Sequence, residues 1–191
     1  KRIESAIEDI ETQQDSVRRG VRSGDYSHAE EALTYFQDSI SELKELDGTE
    51  AVASTFRAEA EELQQEIDEG RASTRINGYF GAAGSSRSKA EQLLNDGAYD
   101  RAISRLESAL SSLDQARELN DRYNLGREDT IIEKKDKIRS LLETASNKPA
   151  EVLSTKLQEA EKTISNGIEA RESGDVTTAV GSFETALSLY E

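Results

Sequence analysis

GDYSHAEEALTYF, residues 24–36, has two counterparts further along the chain: GAYDRAISRLESA at 97–109 and GDVTTAVGSFETA at 174–186. The offsets are 73 and 77 residues, and the register extends past the shared motif. Tyr26, Ala29, Leu33, Phe36, Ile40, Leu43 and Leu46 recur at alternating steps of three and four. Their counterparts are Tyr99, Ala102, Leu106, Ala109, Leu113, Ala116 and Leu119, then Val176, Ala179, Phe183, Ala186 and Tyr190. All are apolar or aromatic in a chain that is only 35% hydrophobic. That spacing lines one face of an α-helix. Each stretch is therefore predicted to form a helix, termed helix B of its unit.

The residues ahead of each motif follow the same rule. Ile3, Ala6, Ile7, Ile10, Val17 and Val21 form a stripe, matched by Ile76, Tyr79, Phe80, Ala83, Ala90 and Leu94. The third copy is weaker: Leu153, Lys156, Leu157, Ala160, Gly167 and Arg171, with Ile164 and Ala170 close by. This is helix A. The motif glycine suits the left-handed residue that ends a helix, and Asp25 or Asp175 can cap the next one. Helix C follows in two units, with Val52, Phe56, Ala60, Leu63 and Ile67 matched by Arg127, Ile131, Lys135, Ile138 and Leu142. Gly48 and Thr49 read as its stop and cap in the first unit, with Asp129 the cap after a connection over 120–129 in the second. Pro149 fits the first turn of the third helix A.

The chain is thus predicted to be all-α. Tandem three-helix units A-B-C, A-B-C, A-B, eight helices in all, would form a helical bundle array or solenoid. The boundaries fall at 1–72, 73–147 and 148–191, the last a partial unit. That truncation, and a first residue other than Met, suggest a piece of a longer chain.

Residues 73–88, STRINGYFGAAGSSRS, test this reading, since Gly78, Gly81 and Gly84 each weaken a helix by about 1 kcal/mol relative to Ala. A phosphate-cradling loop is rejected: no Lys-Ser/Thr follows in the required spacing and no strand precedes. The apolar residues keep helical register, so the stretch is read as helix A of unit two, frayed near 73–77. The three glycines then make a small-residue stripe where another backbone can approach closely. The expected neighbour is helix C of unit one or helix B of unit two, and a docking partner helix is the alternative.

Composition removes most chemistry. With no Cys and one His in 191 residues, thiolate nucleophiles, disulfides and His-rich metal sites are absent. His28 is expected on a solvated face. Serines lack a Gly-x-Ser-x-Gly elbow, and the carboxylates Glu59, Glu61, Glu62 and Glu66 read as an outward face. A net charge of −15 disfavours nucleic acid and anionic membranes. No apolar run reaches the roughly 20 residues of a membrane span. Arg18, Arg19 and Arg22, and Lys134, Lys135 and Lys137, are explained by the helix dipole and by pairing with Glu133 and Asp136. Docking of an acidic segment is the other reading.

The helix-B motif resembles the second half of a tetratricopeptide repeat, and Gly167 stands seven before Gly174 where that family has its helix-A glycine. The Trp-x-x-Leu-Gly-x-x-Tyr of that family is missing from units one and two, the period is near 75, and a third helix intervenes. Those features look more like the microtubule-interacting-and-trafficking (MIT) domain, most closely over 89–145. Both resemblances imply a non-catalytic module holding helices or peptides in interhelical grooves, with no contact residue transferable.

The expected function is therefore protein–protein interaction or scaffolding, without catalysis, metal or cofactor. The alternatives are a passive spacer in a larger, surface-attached protein and a regulatory domain of an enzyme. A basic or neutral partner helix suits the charge. Candidate contact residues are Tyr35, Gly78, Gly81, Gly84 and Tyr123, the tyrosines being either exposed anchors or half-buried at helix junctions. The expected location is cytoplasmic, with an extracellular stalk as the alternative. The acidic, Ser/Thr-rich composition fits a high-salt cytoplasm or an ordinary acidic protein equally.

Overall fold

The three motif glycines all adopt left-handed backbone, with φ of 75° at Gly24, 72° at Gly97 and 85° at Gly174. Only glycine enters that region without strain from a Cβ. Each therefore ends one helix and lets the next turn back. Asp25 Oδ1 then accepts the His28 amide at 3.1 Å, and Asp175 Oδ1 accepts the Thr178 amide at 3.1 Å. These are the N-caps expected of the first and third B helices. At Asp175 the Thr178 hydroxyl also donates, and together these bonds hold the carboxyl below its ordinary pKa.

A computed structural model describes residues 1–190. Among them are six α-helices and no strand: α1 (Arg2–Ser23), α2 (Tyr26–Lys44), α3 (Glu50–Asn95), α4 (Tyr99–Tyr123), α5 (Glu128–Glu172) and α6 (Val176–Tyr190). The chain is all-α, as expected. The eight helices reduce to six because each helix C runs straight into the following helix A. No break occurs at 72–73 or at 147–148, and 73–77 is helical. Arg127 explains the hold on that stretch: its guanidinium donates to Asn77 Oδ1 at 3.1 Å and to Ser73 Oγ at 3.0 Å. Pro149 lies inside α5 rather than at a helix start.

Two capping expectations change. Thr49 does stand at the N-cap position of α3, its carbonyl accepting the Ala53 amide at 2.9 Å, but its buried hydroxyl donates to the Leu43 and Leu46 carbonyls at the end of α2 and so caps no α3 amide. Asp129 is the second residue of α5, and the connection shortens to 124–127. There the side chain of Asn120, 5% exposed, accepts the Arg127 amide at 2.7 Å.

The chain divides into two compact units. The first comprises Lys1–Ala82 with Ser112–Ile132. Its main core joins Ile10 and Val17 of α1, Leu33, Phe36, Ile40 and Leu43 of α2, and Ala53, Ala60, Leu63 and Ile67 of α3. Phe36 and Phe56 meet edge to face, with ring centroids 6.2 Å apart. Val52, expected in this stripe, is exposed and Ala53 is buried in its place. A second cluster gathers Ile76, Ala116, Leu119 and Ile131, with Tyr123 half-buried beside them.

The second unit comprises Ala83–Ser111 with the chain from Glu133 on. Its fully buried apolar positions are mostly alanines: Ala83, Ala90, Ala102, Ala109, Ala145, Ala160, Ala179 and Ala186. Leu106 and Ile138 are the larger ones. An alanine removes less apolar surface from water than a leucine, so each of these contacts contributes less.

Glycines inside helices divide by surroundings. A Cβ on Gly20 would sit 2.8 Å from the Ala29 backbone nitrogen, so α1 and α2 touch backbone to backbone there. A Cβ at Gly78, Gly81 or Gly84 meets nothing within 4 Å. The expected close approach at that stripe is therefore absent. Opposite signs follow. Gly81→Ala should stabilise by about 0.5–1 kcal/mol through backbone entropy alone. Gly20→Ala should destabilise by about 1–3 kcal/mol, because one helix must shift. Urea unfolding of the two variants checks both, and equal signs would contradict the packing at Gly20.

Candidate binding surfaces

Among residues 1–190 no three His, Cys, Asp or Glu side chains converge to hold a metal ion. His28 is exposed, with Nε2 3.3 Å from Ser16 Oγ. Several charged side chains pair locally. Arg71 reaches across from α3 to Glu30 on α2, donating at 2.9 Å and holding that exposed carboxyl below its usual range. Lys137 pairs with Glu133, and Arg139 with Asp136. Lys135 occupies its stripe position at 7% exposure. Arg19 donates to its own helix at the Asp15 carbonyl, and Arg22 lies in the last turn of α1.

The residues singled out from sequence do not meet in one place. Tyr35 is 55% exposed on α2 and lines a recess of about 360 Å³ with Gln13, Ser16, His28, Glu31 and Ala32. Gly78, Gly81 and Gly84 are exposed on α3. Tyr123 is the last residue of α4 and packs into the second core cluster, so it is no free anchor. A larger groove, about 540 Å³, runs between the end of α3 and the start of α4. Lys89, Arg101 and Arg105 line it together with Asp96, Asp100 and Leu93.

The exposed apolar surface concentrates on the third helix-B stripe and the helix before it. Of thirteen exposed large apolar side chains, nine belong to α5 and α6 beyond residue 150: Val152, Leu153, Leu157, Ile168, Val176, Val180, Phe183, Leu187 and Tyr190. Every residue from 146 to 159 is exposed. The two helices pair through Ala160, Gly167, Ala179 and Ala186, all buried, and the Phe183 ring lies where a Cβ of residue 167 would sit. Ile164, Ala170 and Leu189 are half-buried, and the nine large apolar residues named above are exposed. In the first unit the α2 residues in register with Phe183 and Tyr190, Leu33 and Ile40, are buried in the core shared with α3.

No family model, curated protein or solved structure matches this chain. No helix among the described residues is long and apolar enough to cross a membrane.

Proposed function

We propose that this chain is a non-catalytic interaction module whose task is to hold a partner helix or peptide. The observation that carries the reading is the concentration of exposed apolar side chains on the α5–α6 hairpin. Scattered surface leucines are ordinary in soluble proteins, but contiguous apolar patches mark interaction sites. The open grooves at α1–α2 and α3–α4 add concave surface of the kind that receives helices or extended segments. Tetratricopeptide-like and MIT-like modules, which the helix-B motif resembles, would use such surfaces.

Selection of a displayed peptide library on the immobilised chain tests this reading. The expected result is peptides that bind saturably, one per chain, with dissociation constants of roughly 1–100 μM. Recovery of no saturable binder would favour a passive spacer instead.

A further inference from the structure

On α6, Val176, Val180, Phe183, Leu187 and Tyr190 recur at steps of four and three and are all exposed, from 38% at Phe183 to 68% at Val176. This is the seam spacing by which one helix packs along another. Two of these positions exceed what the internal register requires. Val180 and Leu187 match Glu30 and Gln37 of the first motif, which are polar and exposed. α6 also carries a single charge, Glu184, in a chain that is 33% charged. The adjoining part of α5 presents Leu153, Leu157 and Ile168 to solvent. In the first unit the corresponding helix pair is roofed by a third helix, the start of α3, through Ala53, Ala60, Leu63 and Ile67. On the hairpin, Val176, Val180 and Leu187 of α6 with Leu153 and Leu157 of α5 leave an apolar face exposed among the described residues.

The rims of this face indicate the charge of the occupant. Glu161 lies one turn beyond Leu157, Glu172 one turn beyond Ile168, and Glu184 one turn beyond Val180, all exposed. Between 150 and 190 there are seven acidic residues against three basic ones, Lys156, Lys162 and Arg171. A second copy of the chain would bring the same acidic rims against these.

We propose that the α5–α6 hairpin is the docking site for a basic amphipathic helix of a partner protein, seated along the exposed Val176, Val180, Phe183 and Leu187 seam of α6. The proposal rests on the interaction-module reading and gives it a place and a chemistry. The docked helix covers Val176, Val180, Phe183 and Leu187 with apolar residues at three–four spacing. Its lysines or arginines lie against Glu161, Glu172 and Glu184.

The probes are three fluorescein-labelled synthetic peptides of one length. The first has leucines at three–four spacing flanked by lysines, the second replaces those lysines with glutamates, and the third scrambles the first. Anisotropy titration of the whole chain should show saturable one-to-one binding of the first. The other two should bind at least about ten-fold more weakly, and affinity for the first should fall as salt rises from ~50 to ~300 mM. Val180→Ser with Leu187→Ser, at side chains 49% and 63% exposed, should leave the circular dichroism and thermal unfolding unchanged and weaken the first peptide about ten-fold or more. Equal binding of the lysine and glutamate peptides, or binding indifferent to the double substitution, would overturn the proposal. So would a dimer in light scattering that the double substitution dissolves, since the occupant would then be a second copy. Library-selected peptides unaffected by the double substitution would leave the broader interaction reading standing while this placement fails.

Discussion

Phe36→Ala should remove about 3–5 kcal/mol of unfolding free energy. Phe36 is completely buried, at the centre of the main core of the first unit, and its ring meets Phe56 edge to face. Truncation deletes the ring's transfer free energy and its aromatic contact, worth about 0.5–1.5 kcal/mol beyond area burial. It also leaves a cavity between three helices that cannot collapse freely. For a chain of this size each kcal/mol moves the melting temperature by about 2–4 °C, so a fall near 10 °C is expected. Calorimetry and urea titration measure it. A loss under about 1 kcal/mol would mean that α2 and α3 do not enclose Phe36.

Pro149→Ala should act in the other direction, raising stability by about 2–3 kcal/mol. Pro149 is exposed and lies in the interior of α5. Its ring lacks the amide proton that would bond the Ala145 carbonyl one turn earlier, and it crowds that carbonyl. Alanine restores the bond and removes the contact. A more flexible unfolded chain offsets part of the gain, by about 0.4–1 kcal/mol. Thermal unfolding with far-ultraviolet circular dichroism reads both stability and helix content. No gain, or a loss, would place a helix boundary at Pro149 and split α5 in two.

That outcome bears on what the sequence made legible. The B helices, their glycine stops and the aspartate caps rest on local rules, and the backbone follows them at Gly24, Gly97 and Gly174. The junctions between helix C and helix A were placed by adding a period, without a stop signal in the residues themselves. Gly70, the nearest candidate stop, is instead where the Tyr26 ring lies against the α3 backbone. Pro149 has the residue type of a helix start, but nothing local distinguishes that from a tolerated kink site. Thr49 sits between two helices and serves both, its carbonyl starting α3 and its hydroxyl bonding the end of α2, a division that residue type alone does not reveal. The glycine stripe at 78, 81 and 84 signalled room for a neighbour, yet whether a neighbour enters that room is a long-range property. The same limit applies to the α5–α6 hairpin: Phe183 and Tyr190 repeat Leu33 and Ile40 of α2, and whether such positions are buried depends on residues distant in the chain.

Because α3 and α5 run unbroken through the repeat boundaries, the repeating pattern does not mark places where the polypeptide can be divided. Cutting at residue 72 or 147 severs a helix in mid-course and leaves four amides and four carbonyls without partners on the two sides of the cut. Fragments that keep their helices whole must begin and end in the turns at 24–25, 45–49, 96–98, 124–127 or 173–175. Gene dissection of this protein, and any fusion or circular permutation built from it, is therefore governed by those five turns rather than by its 75-residue rhythm.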